Sequence, residues 1–257
     1  MNTKRLLIAY YTVVRKDSMR MFRLWQQTFL PSVITTSLYF LVFGTFIGSK
    51  LPPTHGVSYI MFIVPGLVMM QIIMNAYSNT STALFMAKFQ RNLEEMMVSP
   101  MPDWTIVAGY VTAGIIRGFV TGLLVLMVGL FFTHLVIHNV FIVLAAFILT
   151  CVLFSLAGFL NAMFANSFDS ISIVPTFILT PLTFLGGVFY SISQFPPFWQ
   201  TVSLANPILY MVNAFRYGFL GESDVNVWVA FAILLAFIAA FLILILWLFK
   251  KGVGMKS

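Results

Sequence analysis

Six apolar runs dominate this chain, at roughly 29–48, 58–81, 105–132, 140–163, 171–190 and 227–249. A helix needs about 20 such residues to cross the hydrocarbon core of a bilayer. Each run therefore predicts a spanning helix, and the composition agrees. Of 257 residues, 60% are hydrophobic and only 8% are charged, with a mean hydropathy of +0.98. A soluble domain carries about a quarter charged residues. The expected fold is an all-α polytopic membrane protein, with residues 1–257 forming one transmembrane domain. No polar interval is long enough to fold as a soluble domain of its own.

The basic residues set the expected orientation. Lys4, Arg5, Arg15, Lys16, Arg20 and Arg23 precede the first run. Lys88 and Arg91 follow the second, and Lys250, Lys251 and Lys256 follow the last. The other face holds Lys50 and Arg216. Positive residues concentrate on the cytoplasmic side, so both termini and the interval 84–104 are expected there. Topology thus accounts for the net charge of +7 without nucleic-acid binding. Residues 1–28 interleave basic with apolar side chains, which suits a helix lying on an anionic leaflet or a plain positive-inside flank. The layout lacks the signal-peptide pattern of one short apolar region and a small-residue cleavage site.

The interval 84–104, LFMAKFQRNLEEMMVSPMPDW, is the long charged stretch between two apolar runs. Phe85, Phe89, Leu93, Met96 and Met97 recur at helical spacing. Lys88, Arg91 and Glu95 share the opposite face, and Arg91 lies three and four positions before Glu94 and Glu95, which permits local pairing. Pro100 and Pro102 stop the helix. The pattern predicts an amphipathic surface helix over 85–98 and leaves two occupants open for its apolar face, lipid or a partner protein.

Within the runs, polar groups are few. Asn75, Ser78 and Asn79 should face other helices, and Gly114, Gly118 and Gly122 permit close helix approach. Arg117 is the intramembrane charge; it either snorkels to the cytoplasmic surface, or lines a path or meets an anionic head group. Pro175 and Pro181 predict a kinked fifth span packed against protein. The aromatic interval 191–226 suits short helices that dip into the membrane and return. Cys151 is a lone thiol within an apolar run, and His134 and His138 read as a solvated loop rather than a metal pair. Walker A, His-Glu-x-x-His and Gly-x-Ser-x-Gly patterns are absent from the sequence. So are a centrally placed carboxylate and clustered nucleophiles within the spans. That disfavours an ion-coupled secondary transporter, the main alternative, and an intramembrane enzyme; an assembly protein is the fallback. A transporter of this make-up needs its energy from another protein, with 84–104 as the place to receive it.

Three blocks carry a family resemblance over essentially the whole chain. They are PGLVMMQIIMNAYSNT (65–80) with AKFQRNLEEMMVSPMP (87–102), PTFILTPLTFLGGVFYSISQFPPFWQ (175–200) and NPILYMVNAFRYGFLG (206–221). Together they resemble the ABC-2-type transporter permeases, the membrane subunits of bacterial ABC exporters, in their YadH-like branch. The resemblance implies a non-catalytic inner-membrane homodimer around a central path, with two copies of a separately encoded ABC ATPase. ATP and magnesium would sit on those partners and no cofactor on this chain. It implies a coupling helix carrying Phe89, Arg91, Leu93, Glu94, Glu95, Pro100 and Pro102. It also implies short re-entrant outer helices, with path or gate candidates Arg117, Asn75, Asn79, Gly186, Gly187, Asn206, Pro207, Tyr210, Phe215 and Arg216. The implied substrate is a lipid, a glycan or an amphiphilic drug-like molecule.

Overall fold

The computed structural model describes residues 3–50, 57–135 and 137–252; His55 lies outside them. Six helical spans are long and apolar enough to cross a membrane: span 1 (Trp25–Ile47), span 2 (Tyr59–Phe89), span 3 (Asp103–Phe132), span 4 (Val140–Phe164), span 5 (Phe168–Leu185) and span 6 (Val227–Lys251). Among the described residues, α1 (Thr3–Arg23) precedes span 1, and the α-helices α2 (Asn92–Val98), α3 (Pro197–Leu204) and α4 (Pro207–Leu220) lie between spans. An even number of crossings places α1 and the end of span 6 on one side of the bundle, here the terminal side.

Span 2 is the axis of the fold. Ile63, Leu67, Met69, Ile72, Ile73 and Tyr77 are fully enclosed, and spans 3 and 4 and α4 pack around it. Between helices, lipid offers no hydrophobic drive, so close packing and small residues bring backbones together. Span 3 approaches through its glycines. A Cβ added at Gly122 would lie 2.9 Å from Ile72 of span 2, and one at Gly118 would lie 2.7 Å from Cys151 Sγ of span 4. The predicted small-residue face exists, and Cys151 is part of its packing. Span 4 approaches closer still, through Gly158.

The span boundaries depart from expectation at two places. Span 2 runs eight residues past the apolar run, to Phe89, because Ala83, Leu84, Phe85 and Ala87 remain buried beyond it. The predicted surface helix over 85–98 is therefore not one helix. Arg91 adopts φ 62°, in the left-handed region, and this turn separates span 2 from α2. Residues 85–89 and 93–97 do not share one face. Lys88 is buried rather than displayed beside Arg91 and Glu95, and Arg91 forms no ion pair with Glu94 or Glu95 in the described structure. The stop after α2 is as expected: Ser99 and Pro102 are extended, and span 3 begins at Asp103.

Span 5 ends at Leu185, five residues early, because Gly186 leaves the helix and Gly187 takes φ 75°. One face of span 5 packs against protein as expected, burying Ile171, Leu179 and Thr183, while Phe177, Ile178, Pro181 and Phe184 on the other face are exposed. The helix widens to a π segment over Val174–Leu179, where the Thr180 hydroxyl donates to Pro175 O at 2.9 Å. Pro175 has no N–H to offer the turn before it, and Ile171 O there accepts from Asn161 Nδ2 of span 4 at 3.3 Å. Span 1 carries a second π segment, Phe40–Ile47.

Candidate functional site

Two regions concentrate the polar groups, one at the terminal side and one at the opposite cap. At the terminal side, Phe89 is 66% exposed, and Arg91, Glu94, Glu95 and Pro100 are also exposed. Pro102 is half-buried. Leu93 is 1% exposed and holds α2 down against the bundle, so it is unavailable to any partner. The displayed edge is therefore a short turn and helix with one large aromatic ring, one cation and two acids.

Beside this edge α1 packs on span 3, burying Val13, Asp17 and Met21. Asp17 lies four residues after Val13 and four before Met21 on that stripe, where an apolar residue is expected. Its Oδ1 pairs with Arg20 at 2.7 Å, and its Oδ2 accepts from Asn79 Nδ2 at 2.7 Å. Burial pushes its carboxyl above the usual range, while Arg20 and Asn79 pull the other way. One turn along span 2, Asn75 Oδ1 accepts from Arg117 Nε at 3.2 Å, and Asn75 Nδ2 donates to Ser32 at 3.0 Å. Asn75, Asn79 and Arg117 are thereby brought together, joining α1, span 1, span 2 and span 3. Tyr10 and Thr112 add a hydroxyl pair at 2.8 Å between α1 and span 3. A cleft of about 650 Å³ opens between α1, the end of span 2 and the 96–101 stretch; Lys16, Asp17 and Arg20 lie along it with Met86, Met96 and Met101.

Truncating Asp17 leaves Asn79 with a buried, unpaired donor and frees Arg20. An orphaned buried polar group costs about 1–3 kcal/mol. Asp17→Ala is expected to lower the thermal midpoint of the detergent-solubilised protein by several degrees, with Asp17→Asn recovering part of the loss. Equal midpoints for Asp17→Ala and the unmodified protein contradict this.

At the opposite cap, α4 packs on spans 2, 4 and 6. Arg216 is 2% exposed. Its NH2 donates to Gly187 O at 2.6 Å, its Nε to Phe62 O at 3.4 Å, and its guanidinium lies 3.8 Å from the Phe62 ring centre. Asn206 caps α4 through Ile208 N and donates to Leu182 O at 2.6 Å. Ser191 donates to Asp224 Oδ1 at 2.6 Å. Gly186, Gly187, Asn206, Phe215 and Arg216 are thus buried in the chain's own cap, whereas Pro207 and Tyr210 are half-buried. Tyr210 donates to Leu204 O, tying α3 to α4. Pro207 lines an apolar hollow of about 400 Å³ with Tyr77, Leu153, Leu182 and Phe241. His138 stacks edge-on to Tyr217, and no group of metal-binding side chains occurs among the described residues.

A bundle of six spans with a charged turn after span 2 and a knitted cap after span 5 narrows the identity, and comparison with known proteins decides it. Residues 8–220 match the ABC-2 type transporter family. The chain belongs to that family. The inner membrane transport permease YadH of Escherichia coli K12 is 51% identical over 97% of this chain and 98% of its own length. Nodulation protein J of Rhizobium leguminosarum bv. viciae is 24% identical, over 83% of this chain and 85% of its own. This ABC-2 chain is therefore a multi-pass inner-membrane permease component of an ABC-type transport system, and a non-catalytic one.

Sequence reasoning missed three polar residues, the buried Asp17 and Lys88 and the half-buried Asp224. Asp17 was detectable as the one acid in the basic N-terminal segment, on the Val13/Met21 stripe. Asp224 and Lys88 gave no such signal, because only the fold brings their partners near.

Proposed function

We propose that this ABC-2 permease forms, as two copies, the path of an ATP-driven exporter. A separately encoded ABC ATPase docks on each copy at Phe89, Arg91, Glu94, Glu95 and Pro100, with Pro102 setting the return into span 3. ATP and magnesium act on those partners. The observation that carries this reading is the exposed edge 89–100 on the side where the basic residues also lie. In this reading that side is cytoplasmic, α1 lies in the interface, and α3 and α4 are re-entrant on the outer side. Residues 1–257 form a single transmembrane domain. The substrate is a lipid, a glycan or an amphiphilic drug-like molecule. Arg117, Asn75 and Asn79 border the inner part of the path. Pro207 and Tyr210 border the outer part, with Gly186, Gly187, Asn206, Phe215 and Arg216 shaping it from behind.

The ion-coupled alternative has one observation to offer, the buried Asp17. Both of its oxygens are engaged, by Arg20 and Asn79, so a coupled ion would have to break those contacts.

Arg91→Gly tests the docking edge cleanly, because glycine accepts φ 62° and the change removes the exposed side chain without straining the turn. A non-glycine residue in the left-handed region is disfavoured by about 1–2 kcal/mol. Arg91→Gly should therefore be as stable as the unmodified chain, or slightly more. It should also lose co-purification with the ATPase encoded in an adjacent reading frame bearing a Walker A sequence, and Glu94→Ala should weaken it. Full retention of the ATPase by both variants sinks the assigned edge; failure of the unmodified chain to bind any such ATPase sinks the reading itself.

A further inference from the structure

We infer that Lys88 is a positioning residue that carries motion from the 89–100 edge to the foot of spans 4 and 5. The inference rests on the reading above that this edge receives the ATPase.

Lys88 is the penultimate residue of span 2, next to the exposed Phe89, yet it is only 7% exposed. Its Nζ donates to Met163 O at 3.0 Å and to Ala165 O at 3.2 Å. These belong to the last turn of span 4 and its C-cap, where carbonyls lack partners within the helix. A cation there also meets the negative end of the helix dipole. No carboxylate within ion-pair distance compensates Lys88 among the described residues. The ammonium is held by backbone alone, and its position is tied to the end of span 4.

The same segment grips span 5. Phe85 meets Phe168, the first residue of span 5, edge to face at 4.8 Å, and Phe89 lies 5.8 Å from the same ring. Asn161 of span 4 donates to Ile171 O at 3.3 Å, so the two feet are linked to each other. The Arg91 turn follows directly. A push on the exposed edge therefore has a rigid continuation: through the turn into the end of span 2, then through Lys88 to span 4 and through Phe168 to span 5. Coupling of this kind travels through contiguous packed and hydrogen-bonded groups. A lysine serving only stability would need none of this adjacency to the docking edge. Replacing it by an isosteric apolar residue would leave the conformational response of span 5 untouched.

The test uses the complex of permease and ATPase in nanodiscs. The permease carries Cys151→Ala and a spin label at Phe177→Cys, an exposed site in span 5. The distance between labels on the two copies is measured by pulsed electron resonance without nucleotide and after trapping with ATP and vanadate, alongside ATP hydrolysis. In this background the trapped state is expected to show a shifted distance. Lys88→Met should keep the ATPase bound and hydrolysing within about twofold while losing the shift. Lys88→Arg, which preserves the donors, should restore it. If Lys88→Met does not yield folded complex, Phe168→Ala decides, with the same loss of shift expected. A full shift in Lys88→Met, or in Phe168→Ala where that variant decides, overturns the inference. No complex in the unmodified background overturns the functional reading, and this inference with it.

Discussion

Arg216→Ala is expected to loosen the cap opposite the termini and to lower stability by about 2–4 kcal/mol. The figure follows from what the side chain does. Hydrogen bonds to a charged group contribute about 1.5–3 kcal/mol each, and a desolvated cation over an aromatic face about 2 kcal/mol. The refund for no longer burying a charge offsets part of that sum. Gly187 O, which accepts from Arg216 at 2.6 Å, is left without that donor at the point where the chain turns with φ 75°. Arg216→Lys keeps the charge but loses the fork that reaches Gly187 and Phe62 together, so it should fall between. Thermal unfolding in detergent, followed by tryptophan fluorescence, reads the order. A midpoint for Arg216→Ala within a degree of the unmodified protein contradicts the account. Transport defects at this residue are then expected to track stability rather than contact with substrate.

The second large effect is expected at Gly158 in span 4. A Cβ built there lies 2.4 Å from Tyr77 O and 3.2 Å from Ser81 N, both backbone atoms of span 2. Backbone inside a packed helix cannot rotate away, so the two spans must separate. Overpacking usually costs about 1–3 kcal/mol and occasionally more; with a backbone obstacle on the central helix, the upper end applies. Gly158→Val should yield little monodisperse protein by fluorescence-detected size exclusion. Gly122→Ala is the graded comparison, since its Cβ meets only side-chain atoms, with Ile72 Cγ1 at 2.9 Å and Cδ1 at 3.0 Å; a side chain can yield by a few tenths of an ångström where backbone cannot. Equal yields from the two variants would refute the distinction.

The spans were legible because a bilayer imposes a length, and residues 140–163 or 227–249 can hardly be read otherwise. The small-residue faces were legible for a related reason, as spacing alone puts Gly114, Gly118 and Gly122 on one stripe. Where the reading failed, a local pattern competed with a contact made elsewhere. The run 85–98 has helical periodicity throughout, yet one left-handed residue at Arg91 divides it, and nothing in an arginine announces that conformation. Lys88 looks like a surface cation until the end of span 4, seventy-five residues on, supplies its carbonyls. The prolines of span 5 pointed to a disturbed helix, and the disturbance is there. Its form is a π widening packed on span 2, with Ile171 O one turn earlier taken by Asn161 of span 4, a contact that no local pattern announces. Of the residues expected at the docking edge, Leu93 is buried because it belongs to the packing of α2, a tertiary fact that periodicity does not separate from a partner-facing stripe.

Span 5 has a consequence for the lipid around it. Its eighteen residues, Phe168–Leu185, reach about 27 Å at α-helical rise. The hydrocarbon core of a typical bilayer is about 30 Å thick. Span 2, with thirty-one residues, overshoots the same core at about 46 Å. A helix shorter than its surroundings draws the head groups inward or thins the bilayer. The two leaflets therefore come closest beside the exposed Phe177 and Phe184. On this account the bilayer beside span 5 is expected to be thinner than the bilayer beside span 2.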